Sequence, residues 1–272
     1  MKPAVDSHCH VFDTTRFPYA ADATYRPLPH EAGTAAELAA VHDNHGISHA
    51  LLVNPTSGYG YDNRCMQAAL RASAGRFKGI ARVRPDVDDP TLAQLADDGV
   101  IGIRIDLVGD GAIAAAHPAV PRLLERVREL GWQVHVQCEK DQLADAAPIL
   151  RRARVPLVID HVGRPAPDAG VGQPGFQALL ALGREGHAVK LSGPFRFAAA
   201  PAPFVLADPY VAAVIEAFGV DRCVWGSDWP FLRPPTRLDY GPVLAFLARW
   251  LPDEGDRRRV LWNTPARLFG FN

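Results

Sequence analysis

The chain has 272 residues, 48% of them hydrophobic, and a formal net charge of −1. Length is close to the roughly 250 residues of one eight-unit β/α barrel, and the apolar fraction fills a large core without lipid. No apolar run nears the roughly 20 residues that span a bilayer, residues 1–8 are too short and polar for a secretory signal, and the absence of Lys/Arg blocks argues against nucleic acid. A cytoplasmic protein with a small-molecule partner is expected.

Along the chain, short apolar runs alternate with helix-like segments, the pattern of a parallel α/β fold. The first strand is expected over residues 4–8. Thr34-Ala35-Ala36-Glu37 is a capping box, in which hydroxyl and carboxylate satisfy exposed N–H groups reciprocally, and its helix should stop at Gly46. Strands follow over 48–54, 78–83, 101–106, 133–137, 157–161, 188–192 and 223–227. Between them Asp62, Asp141 and Asp208 are candidate N-caps, with Pro209 suited to the first helical position. Gly75 and Gly131 mark helix ends. Arg122, Glu125, Arg126, Arg128 and Glu129 form the polar face of one helix, and Arg257-Arg258-Arg259 is expected on the outside.

Thr264-Pro265 opens a last short helix, whose Leu268 and Phe269 should pack on the body before Gly270. The Pro-rich stretches 194–209 and 230–235 read as ordered loops. Eight strand–helix units in one domain, residues 1–272, favour closure into a (β/α)8 TIM barrel over a doubly wound open sheet.

No two of Cys9, Cys65, Cys138 and Cys223 have zinc-knuckle or CxxC spacing. Reduced cysteines in apolar runs behave as small hydrophobes, and only Cys9, between two histidines, invites a second reading.

Polar residues gather at the C-terminal strand ends. They are Asp6-Ser7-His8-Cys9-His10, Asn54-Pro55-Thr56-Ser57, Arg104 with Asp106, His135 with Gln137, Asp160-His161, Lys190-Leu191-Ser192 and Ser227-Asp228. In a barrel these ends converge on the mouth that carries the active site. His8 and His10, two apart on a strand, share a face. With His161 and Asp228 they make a constellation of four at fixed barrel positions. His42, His45 and His187 read as solvent-facing. His135 fits core packing and substrate contact equally well.

At these residues the chain resembles the amidohydrolase superfamily, and within it the group that contains 2-pyrone-4,6-dicarboxylate lactonase. The matching segments are Asp6-Ser7-His8-Cys9-His10-Val11-Phe12, Val158-Ile159-Asp160-His161-Val162-Gly163-Arg164-Pro165, Val189-Lys190-Leu191-Ser192-Gly193-Pro194, Val224-Trp225-Gly226-Ser227-Asp228-Trp229-Pro230 and Asn263-Thr264-Pro265-Ala266-Arg267-Leu268-Phe269-Gly270. The resemblance implies hydrolysis of a small carboxylated lactone with no required cofactor or metal. Asp228 would be general base on water, and His8, His10 and His161 would polarise the carbonyl. Arg104 and Arg196 would hold carboxylate. Asn54, Thr56, Ser57 and Tyr59, in and beside the polar loop after strand two, join Gln137 as candidate substrate contacts. Two departures stand out. Leu107-Val108-Gly109-Asp110 lacks the group's second arginine, and Gln137 replaces its strand-five tyrosine, which points to a substrate whose second anionic group is absent or placed differently.

The mechanism expects apolar neighbours such as Trp229 to raise the Asp228 pKa by desolvation. Arg104 has the alternative of a buried ion pair with Asp6 or Asp160, and Arg196 that of a surface charge. A rival reading makes His8, His10, His161 and Asp228 ligands of one Zn²⁺ or Mn²⁺ in a metal-dependent amidohydrolase or decarboxylase. Arg104 in place of a strand-four lysine argues against a carboxylated bridge between two metals. A catalytically inactive barrel that binds a carboxylated ligand or a partner protein is a third reading.

Overall fold

The computed structural model describes residues 2–23, 25–111, 113–198 and 202–272. Eight parallel strands pair in chain order: β1 Val5–Cys9, β2 His49–Val53, β3 Phe77–Ala81, β4 Val100–Asp106, β5 Gln133–Gln137, β6 Leu157–Ile159, β7 Ala188–Leu191 and β8 Cys223–Trp225. The barrel closes past the end of β8, where the Asp228 N–H donates to the His8 carbonyl (2.8 Å) and the His10 N–H to the Trp229 carbonyl (2.8 Å). The closing hydrogen bonds therefore bind the candidate residues of one edge directly to the other. Among the described residues no helix is long and apolar enough to cross a membrane.

The main helices between and after the strands are α1 Ala35–His45, α2 Arg64–Ala72, α3 Asp89–Asp97, α4 Val120–Glu129, α5 Gln142–Arg152, α6 Pro174–Arg184, α7 Asp208–Phe218 and α8 Tyr240–Trp250, with α9 Thr264–Phe269 closing the chain. In α4, Val120, Leu123, Leu124 and Val127 are buried, the i, i+3, i+4, i+7 stripe that faces a core, and the expected polar face looks outward. The Thr34–Glu37 capping box is made, and Gly46 ends α1 in the left-handed region.

Among the described residues apolar side chains form two cores. A large one fills the space between strands and helices. A smaller one lies inside the barrel, where Val5, Leu51, Val53, Ile80, Val158, Ala188 and Val224 meet Phe269 and Phe271. The C-terminal segment thus plugs the barrel at the end opposite the mouth, and Lys78 Nζ fastens it by donating to the Phe269 and Gly270 carbonyls (2.8 and 2.7 Å). All four cysteines are free and buried, and Cys9 faces the helix-side core, away from the histidines.

Several expectations change. Strands β6 and β8 stop two residues early, because the backbone turns into the left-handed region at His161 (φ 53°) and Asp228 (φ 62°). Asp62 pairs with Arg64 instead of capping, and Asn63 takes the N-cap. Asp141 stands at the N-cap of α5 as expected, but its carboxylate makes no capping bond and instead accepts the Gly175 N–H (2.8 Å), tying α5 to α6. Asp208 is the first helical residue, not the cap, and its carboxylate accepts from Arg249 and Trp250. His45 is exposed as read, and His187 is half-buried. His42 is fully buried, with Nε2 3.3 Å from the Asp6 carboxylate: an acid below the helix draws the imidazole inward. The ordered loop expected over 194–209 includes residues 199–201, which lie outside the described residues.

Candidate active site

The site begins with an irregularity in β1. Pairing with β2 shifts register between Asp6 and Cys9. Val5 belongs to the inner core and Cys9 to the outer one, so strict alternation is broken between them and the His8 and His10 rings come to the interior. Asp6 holds the bulge. Its Oδ1 accepts the backbone N–H of His8 (3.1 Å) and Ser227 (2.9 Å), and its Oδ2 accepts from the hydroxyls of Ser227 (2.6 Å) and Tyr240 (2.9 Å). One buried carboxylate thus aligns the ends of β1 and β8.

Asp228 is fully buried. Its Oδ2 accepts from Arg196 Nε (2.7 Å). His10 Nε2 and His8 Nε2 lie 3.3 and 3.7 Å from Oδ1, and His161 Nε2 lies 3.9 Å from Oδ2. Burial opposes ionisation here, but the Arg196 guanidinium, helped by the histidine rings, outweighs it and holds the carboxyl well below the usual carboxylate range. The expected upward shift is overturned, because Trp229 is not the neighbour that decides it. His161 is pulled down to about 3 by burial, against the opposing pull of Asp228; its Nδ1 lies 2.8 Å from the Ser192 hydroxyl. His10 Nδ1 donates to the Val53 carbonyl (2.7 Å).

Beneath this layer lies a second polar layer, in which the place of Lys190 was not expected from the sequence. Asp160, fully buried, lies 3.0 Å from Lys190 Nζ through Oδ1 and accepts from Arg104 Nε at 3.0 Å through Oδ2. Burial works against its charge, yet Lys190, His8 and Arg104 keep it well below the usual range. Lys190 Nζ also lies 2.9 Å from His8 Nδ1. His135 completes the layer, fully buried and with neither ring nitrogen hydrogen-bonded among the described residues; it packs inside the barrel and does not line the cavity. Arg104 thus makes the ion pair with Asp160 weighed as its alternative, and still reaches the cavity.

The mouth opens into a cavity of about 510 Å³. His10, His161 and Asp228 form its floor, and Arg104, Arg196, Thr56, Ser57 and Gln137 are on its walls. Arg196 is not a surface charge, since its second donor goes to the Leu232 carbonyl (2.7 Å). His8 sits just below the floor, with no exposed surface. Asn54 and Tyr59 are not on the walls. The Asn54 amide donates to the Gly60 carbonyl (3.1 Å) and shapes the loop. The Tyr59 hydroxyl accepts the Asp13 N–H (3.0 Å) while its ring stacks on Phe12.

Further residues reach the cavity, among them Asp106, Tyr25, Arg164 and Arg233. Arg164 was visible in the segment that carries His161, and its guanidinium pairs with Glu139 (2.9 Å). Arg233, in the proline-rich loop after β8, lies over the Tyr25 ring with 3.6 Å between guanidinium carbon and ring centre. Its backbone N–H donates to Glu31 (2.7 Å), which also receives the Tyr25 hydroxyl. Tyr25 sits in an irregular segment whose sequence carries no periodic signal.

The geometry can be set beside known proteins. The chain is 32% identical to a 4-sulfomuconolactone hydrolase of Hydrogenophaga intermedia, over 97% of this chain and 88% of the relative. It is 30% identical to a 2-pyrone-4,6-dicarboxylate hydrolase of Comamonas testosteroni, over 98% and 90%. A crystal structure from Acinetobacter baumannii, described as a probable 2-pyrone-4,6-dicarboxylic acid hydrolase with citric acid bound, superposes with a TM-score of 0.89 and 29% identity, covering all of both chains. The profile of the amidohydrolase family matches residues 5–271. With the barrel, the histidine pair and the strand-eight aspartate in place, the chain belongs to the amidohydrolase family.

Proposed function

We propose that this chain is a hydrolase that opens the ring of a small carboxylated lactone, with Asp228 as general base. One observation carries the reading: a fully buried, ionised carboxylate faces a cavity whose walls bear the guanidinium groups of Arg104, Arg164, Arg196 and Arg233. Such walls suit an anionic substrate, since guanidinium–carboxylate pairs are strong and directional. The names of the relatives, lactone hydrolases of carboxylated or sulfonated rings, support the same chemistry.

Asp228 takes a proton from water as the water oxygen attacks the lactone carbonyl. His161, on the floor, faces the oxygen on which charge develops. With Nδ1 accepting from the Ser192 hydroxyl its Nε2 is a donor, and a good donor there is worth roughly 3–4 kcal/mol. Neutral His10, its N–H spent on the Val53 carbonyl, instead presents a lone pair to the floor. The ring C–O bond then breaks, the departing oxygen takes up the proton, and a ring-opened hydroxy acid or its keto tautomer leaves. Arg196 has two duties in this scheme. Without substrate it pairs with Asp228. A substrate carboxylate competes for that guanidinium and brings a negative charge close, and both effects raise the basicity of Asp228. Thr56, Ser57 and Gln137 offer hydrogen bonds to the ring substituents, and Arg104 a second charge.

The test is hydrolysis of 2-pyrone-4,6-dicarboxylate, 4-sulfomuconolactone and muconolactone, followed by loss of ring absorbance. Turnover of at least one is expected, and Asp228→Asn should lower it by about 10²–10⁴-fold, the usual worth of a general base, with the circular dichroism unchanged. Failure on all three lactones would sink the substrate class. An undiminished rate in the variant would remove Asp228 from its role.

A further inference from the structure

Lys190 is a fully buried lysine within an apolar strand, and its ammonium lies between two partners, His8 Nδ1 at 2.9 Å and Asp160 Oδ1 at 3.0 Å. An ammonium has three donors and no acceptor, and a neutral imidazole has one of each. Whatever Lys190 gives to Nδ1 therefore decides which nitrogen of His8 carries the ring proton.

The geometry points to Lys190 as a positioning residue that fixes His8 with its proton on Nε2, making His8 a hydrogen-bond donor beside Asp228 and unfitting it as a ligand for a divalent metal. His8 Nε2 and Asp228 Oδ1 are both buried, 3.7 Å apart, and have no hydrogen-bond partner among the described residues. An N–H and a carboxylate oxygen so placed suit a small oxygen species held between them: donor on one side, base on the other.

The same donor set tests the metal reading. Ligand atoms of His8, His10 and Asp228 lie within 4.8 Å of one another, and histidine and carboxylate suit Zn²⁺ or Mn²⁺ by type. A metal-binding imidazole, however, offers a lone pair on one nitrogen and donates its N–H from the other to a carbonyl or carboxylate. His10 follows that rule, with Nδ1 on the Val53 carbonyl. His8 reverses it, because Lys190 takes the Nδ1 lone pair. Arg196 on the second oxygen of Asp228, at 2.7 Å, adds a cation where a metal would need an unshared carboxylate. As they stand, these residues do not fit the metal. Asp160 Oδ1, 3.3 Å from His8 Nδ1, is the acceptor that a proton on Nδ1 would use were Lys190 absent. Lys190→Met then frees His8 to turn its lone pair towards His10 and Asp228.

The experiment uses the full chain with ¹⁵N-labelled histidine. Long-range ¹H–¹⁵N correlations identify the His8 tautomer, assigned by the signals lost in His8→Asn, and Co²⁺ binding is followed by visible absorption. The wild type should show the Nε2–H tautomer. Lys190→Met should show Nδ1–H and bind Co²⁺ at least tenfold more tightly, since partners behind a metal-binding histidine shift metal affinity by about 10–100-fold. An Nδ1–H tautomer in the wild type overturns the proposal, as does wild-type Co²⁺ affinity equal to the variant's and lost in His8→Asn. If Lys190→Met does not fold, the wild-type spectrum and its Co²⁺ titration beside His8→Asn decide alone. Turnover enters only through the hydrolase reading, on which a fall in kcat of about 10²–10³-fold at unchanged KM rests. Absence of lactone hydrolysis would end that reading and leave the tautomer result standing.

Discussion

Asp228 is ionised in a place where burial works against ionisation, and Arg196 is the first of the cations that reverse the balance. The sign of the consequence follows. A base must be unprotonated to act, and Asp228 titrates below the ordinary aspartate value of about 3.9, so kcat/KM should stay flat through the neutral range and fall only in strong acid. Arg196→Ala removes the nearest cation, raises the Asp228 pKa and moves that acid limb to higher pH, while KM rises because the substrate carboxylate loses a partner. A pH profile of kcat/KM checks both, and an acid limb that stays in place would show that Asp228 is not the titrating group. At this scale the sequence was legible where chemistry and spacing coincide. His8 and His10 share a face, and His161 and Asp228 close two strands. It was not legible for the Lys190–Asp160 pair, because one lysine in an apolar run does not say which partner it meets; here β6 and β7 have to be neighbours before the pair forms. Nor could spacing reveal that the Asp228 pKa falls, since that depends on an arginine 32 positions away.

Elements position these side chains, and two glycines separate positioning from mere packing. A Cβ on Gly33 would lie 2.0 Å from the Trp229 ring, and one on Gly183, in α6, 2.4 Å from the Phe218 ring of α7. Both overpack, and forced contacts of this kind cost about 1–3 kcal/mol. Trp229, however, follows Asp228 directly, and its carbonyl receives the closing hydrogen bond from His10. Gly33→Ala should therefore lower kcat as well as thermal stability, whereas Gly183→Ala should lower stability alone. Paired melting curves and initial rates on one lactone distinguish the two, and equal kcat values would mean that the Trp229 loop does not hold the base in place. The eight strands were readable because each is a short apolar run, seven of them with polar residues at the C-terminal end, and α1 because its capping box and Gly46 mark both ends. The boundaries of β6 and β8 were not. His161 and Asp228 leave the strand through left-handed backbone, a conformation that non-glycine residues adopt rarely and only where their surroundings enforce it.

Across the whole molecule the barrel interior is layered from end to end. The apolar plug of Phe269 and Phe271 meets Val5, Ile80 and Val224 at the closed end. Above it lie Arg104, His135, Asp160 and Lys190, and above those the floor of the cavity. Each layer shields the next: the plug keeps the charged middle layer out of reach of the closed end, and the middle layer sets the histidines. His135 links the two, its ring centre 6.0 Å from that of Phe269. Layering of this kind predicts that damage at the bottom is felt as stability before it is felt as chemistry. Phe269→Ala removes a buried aromatic ring, a change that costs about 3–5 kcal/mol, and each kcal/mol lowers Tm by about 2–4 °C in a domain of roughly this size. KM should stay at the wild-type value, because the walls that bind the substrate lie two layers away, and the pH profile should keep its shape. A KM that rises together with the fall in Tm would show instead that the closed end and the mouth move as one, and that the middle layer transmits packing changes instead of absorbing them.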